Sequence, residues 1–268
     1  MDDKIKKLIN KAVLKIIEHS SSRAMIRSLQ KKHEVKIHFI PKRYRVFGGI
    51  LQSMNIQFGN FIEALIALLI ANDGRYEIMS TYSGKRSNAF ELSYKNEALI
   101  DNYITRCQTE NINIDYEFPK LLKQIVRDGG GQTIKFKHDI DLLFKNTHTD
   151  KFYYLECKYN DDHDTGKFVD INRKFIKTYA YLAKELNIAD NAKLIPILFF
   201  FTSKKMKGNI YIPESSNIRR GKNFFEEFLK VKYEDVDKYL LNLSESAETL
   251  KAFKELYDKT MSIKMEDL

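Results

Sequence analysis

The sequence predicts a mixed α/β fold, in which a mixed central β-sheet is flanked by helices and a basic helical region lies at the N-terminus. Residues 59–71 are apolar on nearly every face of a helix, which indicates a buried helix. Residues 193–202 form a strongly apolar strand, and a long amphipathic helix at 167–186 precedes it. Helices that alternate with apolar strands in this way predict a sheet covered by helices.

The chain has 268 residues, 43% of them hydrophobic, which suits one large domain or two small ones with an ample core, and we predict a single domain. Within it we distinguish three regions, namely a basic region at 1–58, a core at 59–215 and a helical region at 216–268. The apolar spacing of residues 3–18 predicts a helix, and a second helix runs to about residue 30. Residues 35–39 alternate like a strand that ends at Pro41. Residues 41–49 are basic and aromatic and predict a loop.

Strands are predicted at 76–82, 89–94, 132–145, 152–159 and 208–213, and helices at 96–108, 119–127 and from about residue 223. The glycine-rich turn at 128–131 lacks the Gly-Lys-Ser/Thr ending of a phosphate-binding loop, so a nucleotide site is excluded there. The acidic loop at 160–166 lacks the spacing of an EF-hand and is interpreted as a solvated loop.

The most informative stretch pairs the strands at 132–145 and 152–159. Glu156 and Lys158 are two residues apart, so they share one face of their strand, and Asp139 and Asp141 share a face by the same rule. If the strands form a hairpin, the carboxylates and the ammonium meet on one patch. Carboxylates at close range bind a hard divalent cation, and a lysine beside them can stabilise charge on a phosphate. The alternative is a surface hairpin with ordinary charged residues.

Asp141, followed after 15 residues by Glu156-Cys-Lys158, resembles the PD-(D/E)xK nuclease superfamily, although the proline is missing here. The resemblance implies a restriction-endonuclease-like core and a Mg²⁺ cofactor. It also implies that Asp141, Glu156 and Lys158 are catalytic and that Asp141 and Glu156 bind the metal. Glu63, on the apolar helix, is a third metal ligand in this comparison, because many members carry a glutamate on the helix before the sheet. The alternative for Glu63 is a carboxylate that satisfies the backbone amides of the first helical turn.

A stand-alone nuclease of this length, without helicase or ATPase motifs, resembles a type II restriction endonuclease, and residues 44–63 are similar to the HinfI/TdeIII type. The resemblance implies sequence-specific cleavage of double-stranded DNA, at a short, partly palindromic site of the GANTC kind. A palindromic site offers two equivalent scissile phosphates, so we expect a homodimer on DNA, and the alternative is a monomer that turns around between the two cuts. The candidate interface elements are the exposed basic helices and the C-terminal helices at 223–229 and 236–243. We also expect a cognate methyltransferase as a system partner. Two alternatives stay open at this point: a junction-resolving or repair nuclease of the same fold, and a non-cleaving DNA-binding protein.

Positive charge is concentrated at the N-terminus. Residues 1–60 hold 13 Lys/Arg against four Asp/Glu, an excess of nine that equals the whole net charge of +9. A basic segment beside a neutral body suits a polyanion binder, whereas the alternative is a solvated face. The predicted DNA-contacting residues lie in the loop at 41–49 and in a second basic loop at 217–222: Lys42, Arg43, Arg45, Arg219, Arg220 and Lys222.

The remaining features bear on the compartment. The N-terminus carries early acids and no apolar signal region, and the longest apolar run is too short to span a bilayer. Two cysteines do not suggest a disulfide framework, so we expect a reducing, cytoplasmic location.

Overall fold

The structure is a computed structural model that describes residues 1–84, 89–128, 130–162 and 164–262. The chain divides into two compact units, Met1–Leu65 together with Val231–Leu268, and Ile66–Lys230. The prediction of a single domain with three regions stays a prediction.

The unit Ile66–Lys230 is built on a five-stranded mixed sheet of order β1-β4-β5-β6-β7. Strands β1, β4 and β5 pair antiparallel, whereas β5, β6 and β7 pair parallel. A separate two-stranded sheet pairs β2 with β3. The strands are β1 (Tyr76–Ile78), β2 (Ala89–Ser93), β3 (Thr133–Lys137), β4 (Leu142–Asn146), β5 (Phe152–Lys158), β6 (Leu194–Phe200) and β7 (Ile218–Arg220).

The described helices follow the predicted order with longer spans. They are α1 (Asp3–Ser20), α2 (Arg23–Glu34), α3 (Lys42–Ala71), α4 (Tyr94–Thr109), α5 (Ile114–Val126), α6 (Thr165–Glu185), α7 (Gly221–Phe228), α8 (Tyr233–Ser244) and α9 (Ala247–Met261), with a 3₁₀ turn at Asn191–Lys193.

Helix α6 is the crossover that makes β5 and β6 parallel, because parallel neighbours need a long connection between them. It begins where the Asp164 side chain accepts a hydrogen bond from the Lys167 amide, at 2.8 Å. The register places Glu156 beside Leu198 and Lys158 beside Phe200. Two charged side chains of β5 therefore lie next to an apolar strand.

Both faces of the sheet are covered by aromatic packing. On one face Tyr154 of β5 stacks on Phe175 of α6, with ring centroids 5.1 Å apart. On the other face Tyr153 meets Phe228 of α7 edge-on at 5.1 Å. A mixed sheet with helices on both faces confirms the predicted fold class.

The other unit contains α1, α2, α8, α9 and most of α3. Its core joins apolar side chains from four of these helices, namely Ile17, Ile26, Leu29, Val46, Ile50, Met54 and Leu256. The Tyr239 hydroxyl donates to Asn10 Oδ1 at 2.7 Å and ties α8 to α1.

Two predictions for residues 35–49 were wrong. Residues 35–39 pair with no strand among the described residues, and residues 42–49 form the start of α3 rather than a loop. The carbonyl of Pro41 accepts from the amides of Tyr44 and Arg45, which starts the helix. Gly49 serves as a contact point, because a Cβ there would lie 2.9 Å from Leu29 Cδ2. The glycine allows two helices to approach closely, so it does not mark a turn.

Helix α3 bears on the expectation that no segment of the chain is long enough to span a bilayer. Among the described helices it is the one long and apolar enough to cross a membrane by length and composition, although a third (33%) of the tested window is buried inside the protein. A lone helix of this kind is weak evidence for a membrane span. The predicted buried helix at 59–71 is the C-terminal part of α3, and its buried residues are Ile62, Leu65, Ile66, Leu69 and Ile70.

Three further predictions on the sheet were wrong. Residues 132–145 are not one strand, because β3 joins the small sheet and only β4 joins the large one. Residues 208–213 form no strand. The Tyr211 amide donates to Asn209 Oδ1 at 2.9 Å, a local hydrogen bond that takes the place of a bond to a neighbouring strand. The expected loop at 217–222 is instead β7 and the start of α7. The predicted turn at 128–131 and the acidic loop at 160–166 include Gly129 and His163, which lie outside the described residues.

Candidate active site

Asp141 lies in the bend just before β4, and not on a strand as predicted. The pairing of β4 with β5 ends at Leu142 and Leu155. Beyond that point the amide of Cys157 donates to Asp141 Oδ2 at 2.7 Å. The Asp141 side chain therefore takes the place of a strand carbonyl, and this hydrogen bond holds its carboxylate against β5.

Glu156 and Lys158 point to the same face of β5, as the alternation of a strand requires. Lys158 Nζ lies 2.6 Å from Glu156 Oε1 and 3.7 Å from Asp141 Oδ2. It also donates to the carbonyl of Cys157 at 2.9 Å. The structure thus brings the three predicted residues into one cluster in which a single ammonium contacts both carboxylates.

The cluster is shielded from water. Glu156 is 5% exposed, and 24% of the Lys158 side chain is exposed. Burial alone would lower the pKa of Lys158, but the carboxylates of Glu156 and Asp141 outweigh that effect and raise it above its ordinary value. In this state Lys158 is a charged hydrogen-bond donor.

Two neighbours of Glu156 were missed by the sequence analysis. The Tyr154 hydroxyl donates to Glu156 Oε2 at 3.2 Å. His138 Nε2 lies 3.8 Å from Glu156 Oε1, and its Nδ1 is 2.8 Å from Thr178 Oγ1 on α6. Burial lowers the pKa of His138, which favours the neutral imidazole. Tyr154 could have been found by the strand period, whereas His138 carries no local signal.

The donor set fits a small, hard cation. Asp141 and Glu156 both contact the same ammonium, so the two carboxylates converge on one point. Within the described part of the chain no group of three or more His, Cys, Asp or Glu side chains is arranged to hold a metal. Two carboxylates are nevertheless the usual protein contribution to a Mg²⁺ site.

Glu63 is half-buried in α3 and belongs to the unit Met1–Leu65, whereas Asp141, Glu156 and Lys158 belong to the unit Ile66–Lys230. Its role as a metal ligand stays a prediction.

The first group of predicted DNA contacts, Lys42, Arg43 and Arg45, lies at the start of α3, and the first turn of this helix contains no acidic residue. Lys42 Nζ is 3.6 Å from Glu34 Oε1, and Arg45 Nη1 donates to the carbonyl of Lys36 at 3.1 Å. Positively charged side chains are unfavourable at a helix N-terminus, whereas a bound anion is stabilised there. A groove beside this turn is lined by further basic and polar side chains: Lys32, His33, Lys36, His38, Arg45, Gln52 and Gln57.

The second group of predicted DNA contacts has protein partners. Arg220 is 8% exposed, and its guanidinium bonds to Asp161 at 3.0 Å and to Glu214 at 2.6 Å. Arg219 Nε is 2.5 Å from Glu227 Oε2, and Lys222 Nζ is 3.6 Å from Glu226 Oε1. These pairs favour a structural role for Arg220 in particular.

A mixed sheet that brings an Asp, a Glu and a Lys together at the ends of two adjacent strands defines the class of PD-(D/E)xK-type nucleases. The profile of the family described as "Type II restriction endonuclease, HinfI" matches residues 1–244. The chain is 60% identical over 265 residues to the type II restriction enzyme HinfI of Haemophilus influenzae, which covers 98% of this chain and 100% of that protein. No solved structure matches the chain significantly. The chain belongs to the HinfI family of type II restriction endonucleases.

The predicted function is confirmed at this level: the protein is a sequence-specific endonuclease that acts on double-stranded DNA. The family membership favours this function over a junction-resolving or repair nuclease and over a non-cleaving DNA-binding protein. Enzymes of this kind generally need a divalent metal.

Proposed function

We propose that Asp141, Glu156 and Lys158 form the catalytic site and that the metal is Mg²⁺. The observation that carries the proposal is the single ammonium, Lys158 Nζ, within 2.6 Å of Glu156 and 3.7 Å of Asp141. Asp141 and Glu156 carry two negative charges against the one positive charge of Lys158, so the cluster would repel a phosphate unless a further cation binds, and in a DNA-cutting protein this points to a metal site.

Each residue then has a distinct task. Asp141 and Glu156 hold the metal, and Asp141 is kept in place by the Cys157 amide. When bound, Mg²⁺ supplies Lewis-acid polarisation of the scissile phosphate and activation of a water molecule. Lys158 donates hydrogen bonds to the attacking water or to the phosphate oxygens, where its charge stabilises the negative charge that develops. The shielded setting strengthens each of these interactions.

Removing divalent cations is expected to stop cleavage, because two carboxylates and no metal leave the scissile phosphate unneutralised. Plasmid incubated with the protein and EDTA should stay intact, and added Mg²⁺ should give discrete bands on a gel. Sequenced fragment ends should fall at a short, partly palindromic site of the GANTC kind. Cleavage that persists in EDTA would contradict the metal site, and a smear would contradict a specific site.

We infer that the first turn of α3 binds DNA phosphates through Lys42, Arg43 and Arg45. Replacing all three by Gln should weaken binding and reduce the slope of log K against log salt by ~0.9 for each phosphate that is no longer neutralised. Fluorescence anisotropy on a short duplex, in EDTA and over a series of salt concentrations, measures both quantities.

The matched control for this test is the triple Gln variant of Lys4, Lys7 and Lys11 on α1, which removes the same charge. Local binding of phosphates by α3 predicts a larger slope change for the α3 variant. An equal change in both variants would indicate only a general field of positive charge, and an unchanged slope would mean that the α3 cations face solvent.

We further propose a homodimer on DNA. One active site cuts one strand, whereas a partly palindromic site offers two equivalent phosphates that a two-fold protein can match. The apolar face of α7 is already occupied within the chain, since Phe224, Phe225 and Phe228 are buried. The segment between α2 and α3 instead leaves Ile37 and Phe39 fully or almost fully exposed, at 104% and 92%, and is the surface we assign to the second copy.

Sedimentation of the protein with a one-site duplex should give a complex of two chains. Replacing Ile37 and Phe39 by Glu should reduce that complex to one chain and leave nicked DNA as the main product. A 1:1 complex of the unaltered protein that cuts both strands, with no dependence of nicking on protein concentration, would exclude the dimer.

The biological setting follows from the reaction. A nuclease that cuts a short sequence endangers the DNA of its own cell, so we infer a cognate methyltransferase as a system partner rather than as a subunit. We also infer a cytoplasmic location, where DNA and reducing conditions occur together. The two cysteines, Cys107 and Cys157, are buried and are not joined in a disulfide, which suits such a compartment.

A further inference from the structure

The two oxygens of the Glu156 carboxylate have different surroundings. Oε1 lies 2.6 Å from Lys158 Nζ, which also approaches Asp141, so this oxygen belongs to the proposed cation site. Oε2 accepts a hydrogen bond from the Tyr154 hydroxyl at 3.2 Å. The carboxylate is thus held between a charged donor on one oxygen and a neutral donor on the other.

Tyr154 is itself rigidly held. It is fully buried, and its ring stacks on Phe175 of α6 with an angle of 27° between the ring planes. Thr178, one turn further along α6, is also fully buried and lies beside the Tyr154 hydroxyl. One helix therefore supports both the ring and the hydroxyl of Tyr154.

The hydroxyl can act as a dependable donor. A tyrosine hydroxyl carries a proton that it can donate, and Glu156 Oε2 is an acceptor at 3.2 Å. A buried carboxylate oxygen without a donor is costly. Without the hydroxyl, Oε2 would lose this donor, and the carboxylate would be free to rotate about its last bond, so that Oε1 would be held less precisely beside Lys158.

We propose that Tyr154 is a positioning residue of the metal site, whose hydroxyl orients Glu156 so that Oε1 faces Asp141 and Lys158. The inference rests on the proposed metal site at Asp141 and Glu156, and Tyr154 itself touches neither metal nor DNA in this arrangement. Outer residues that hold a metal-binding carboxylate commonly affect metal affinity by about 10–100-fold.

The test compares two neighbouring tyrosines that face opposite sides of β5. Tyr154→Phe removes the hydroxyl and keeps the stacked ring. Tyr153→Phe makes the same change on the other face, where the ring stacks on Phe144 with centroids 5.2 Å apart. Mn²⁺ is titrated into each protein without DNA and followed by the loss of its free EPR signal. We expect binding to weaken about 10–100-fold in Tyr154→Phe and to stay near the unaltered value in Tyr153→Phe.

Single-turnover cleavage gives a second readout. The Mg²⁺ concentration for half-maximal rate should rise in Tyr154→Phe by the same factor as the Mn²⁺ dissociation constant, and the rate at saturating Mg²⁺ should stay close to normal. This half-saturation value decides the question if the free protein binds Mn²⁺ too weakly for EPR. In a Glu156→Gln background, Tyr154→Phe should cause no further loss.

The outcomes distinguish a failure of the role of Tyr154 from a failure of the proposed metal site on which that role depends. Unchanged metal dependence in Tyr154→Phe, or an equal loss in Tyr153→Phe, overturns the role of Tyr154 while Glu156→Gln still loses metal. Normal metal dependence in Glu156→Gln overturns the site itself, and the role of Tyr154 with it.

Discussion

Asp141→Asn and Glu156→Gln are each expected to lose cleavage by at least about 10³-fold, because each removes one of the two carboxylates that hold the metal. These isosteric changes keep a hydrogen-bond acceptor for the Cys157 amide and for the Tyr154 hydroxyl. The fold should therefore survive, and DNA affinity measured in EDTA should stay within a few-fold of normal.

Asp150→Asn is the matched control, since Asp150 lies in the turn that joins β4 to β5, at the opposite end of the same two strands, and its side chain is 68% exposed. This variant should cut DNA at close to the normal rate. Cleavage at the normal level by Asp141→Asn or Glu156→Gln would show that the catalytic carboxylates lie elsewhere.

Replacing Arg220 by Met is expected to lower the free energy of unfolding by about 3–5 kcal/mol, because it leaves buried Asp161 without its cationic partner. Asp161 is 1% exposed and also accepts from the backbone amides of Met206 and Lys207, so the loop after β6 should loosen. Urea unfolding followed by circular dichroism measures the effect.

Lys222→Met provides the comparison, because Lys222 pairs with Glu226 at an exposed position. Its effect should stay within about 0.5 kcal/mol. Adding Asp161→Asn to Arg220→Met should recover part of the lost stability, since the uncompensated charge is then gone. If Arg220→Met instead keeps full stability and loses DNA affinity, the sequence prediction of a DNA contact is correct and the structural role is wrong.

Much of the candidate site could be predicted because it depends on short-range geometry. The two-residue period of a strand places Glu156 and Lys158 on one face, and the hairpin brings Asp141 to them. The same period would have found Tyr154, but a tyrosine among apolar residues looks like an ordinary core residue. His138 could not be found, because its approach to Glu156 depends on the bend between β3 and β4 and on Thr178 of α6.

In the fold, too, the elements that depend on a local pattern were predicted, and those that depend on distant partners were not. Helix α6 and strand β6 were predicted closely, since each buries a regular apolar pattern against the sheet. Residues 35–39 alternate as regularly as a strand, but their apolar side chains lie in solvent and no described strand pairs with them. Strand propensity is realised only where a partner strand and a packing surface exist.

The sequence by itself determined the class of fold, the three residues of the candidate site and the concentration of positive charge in the first 60 residues. Periodicity, spacing and composition carry that information, because they act within a few residues along the chain. Only the tertiary structure decided that Asp141 is held by the Cys157 amide, that Arg220 is buried between acids and that Gly49 lies inside a helix. Those outcomes depend on partners far away in sequence, whose approach is set by packing and by the need to pair every buried charge.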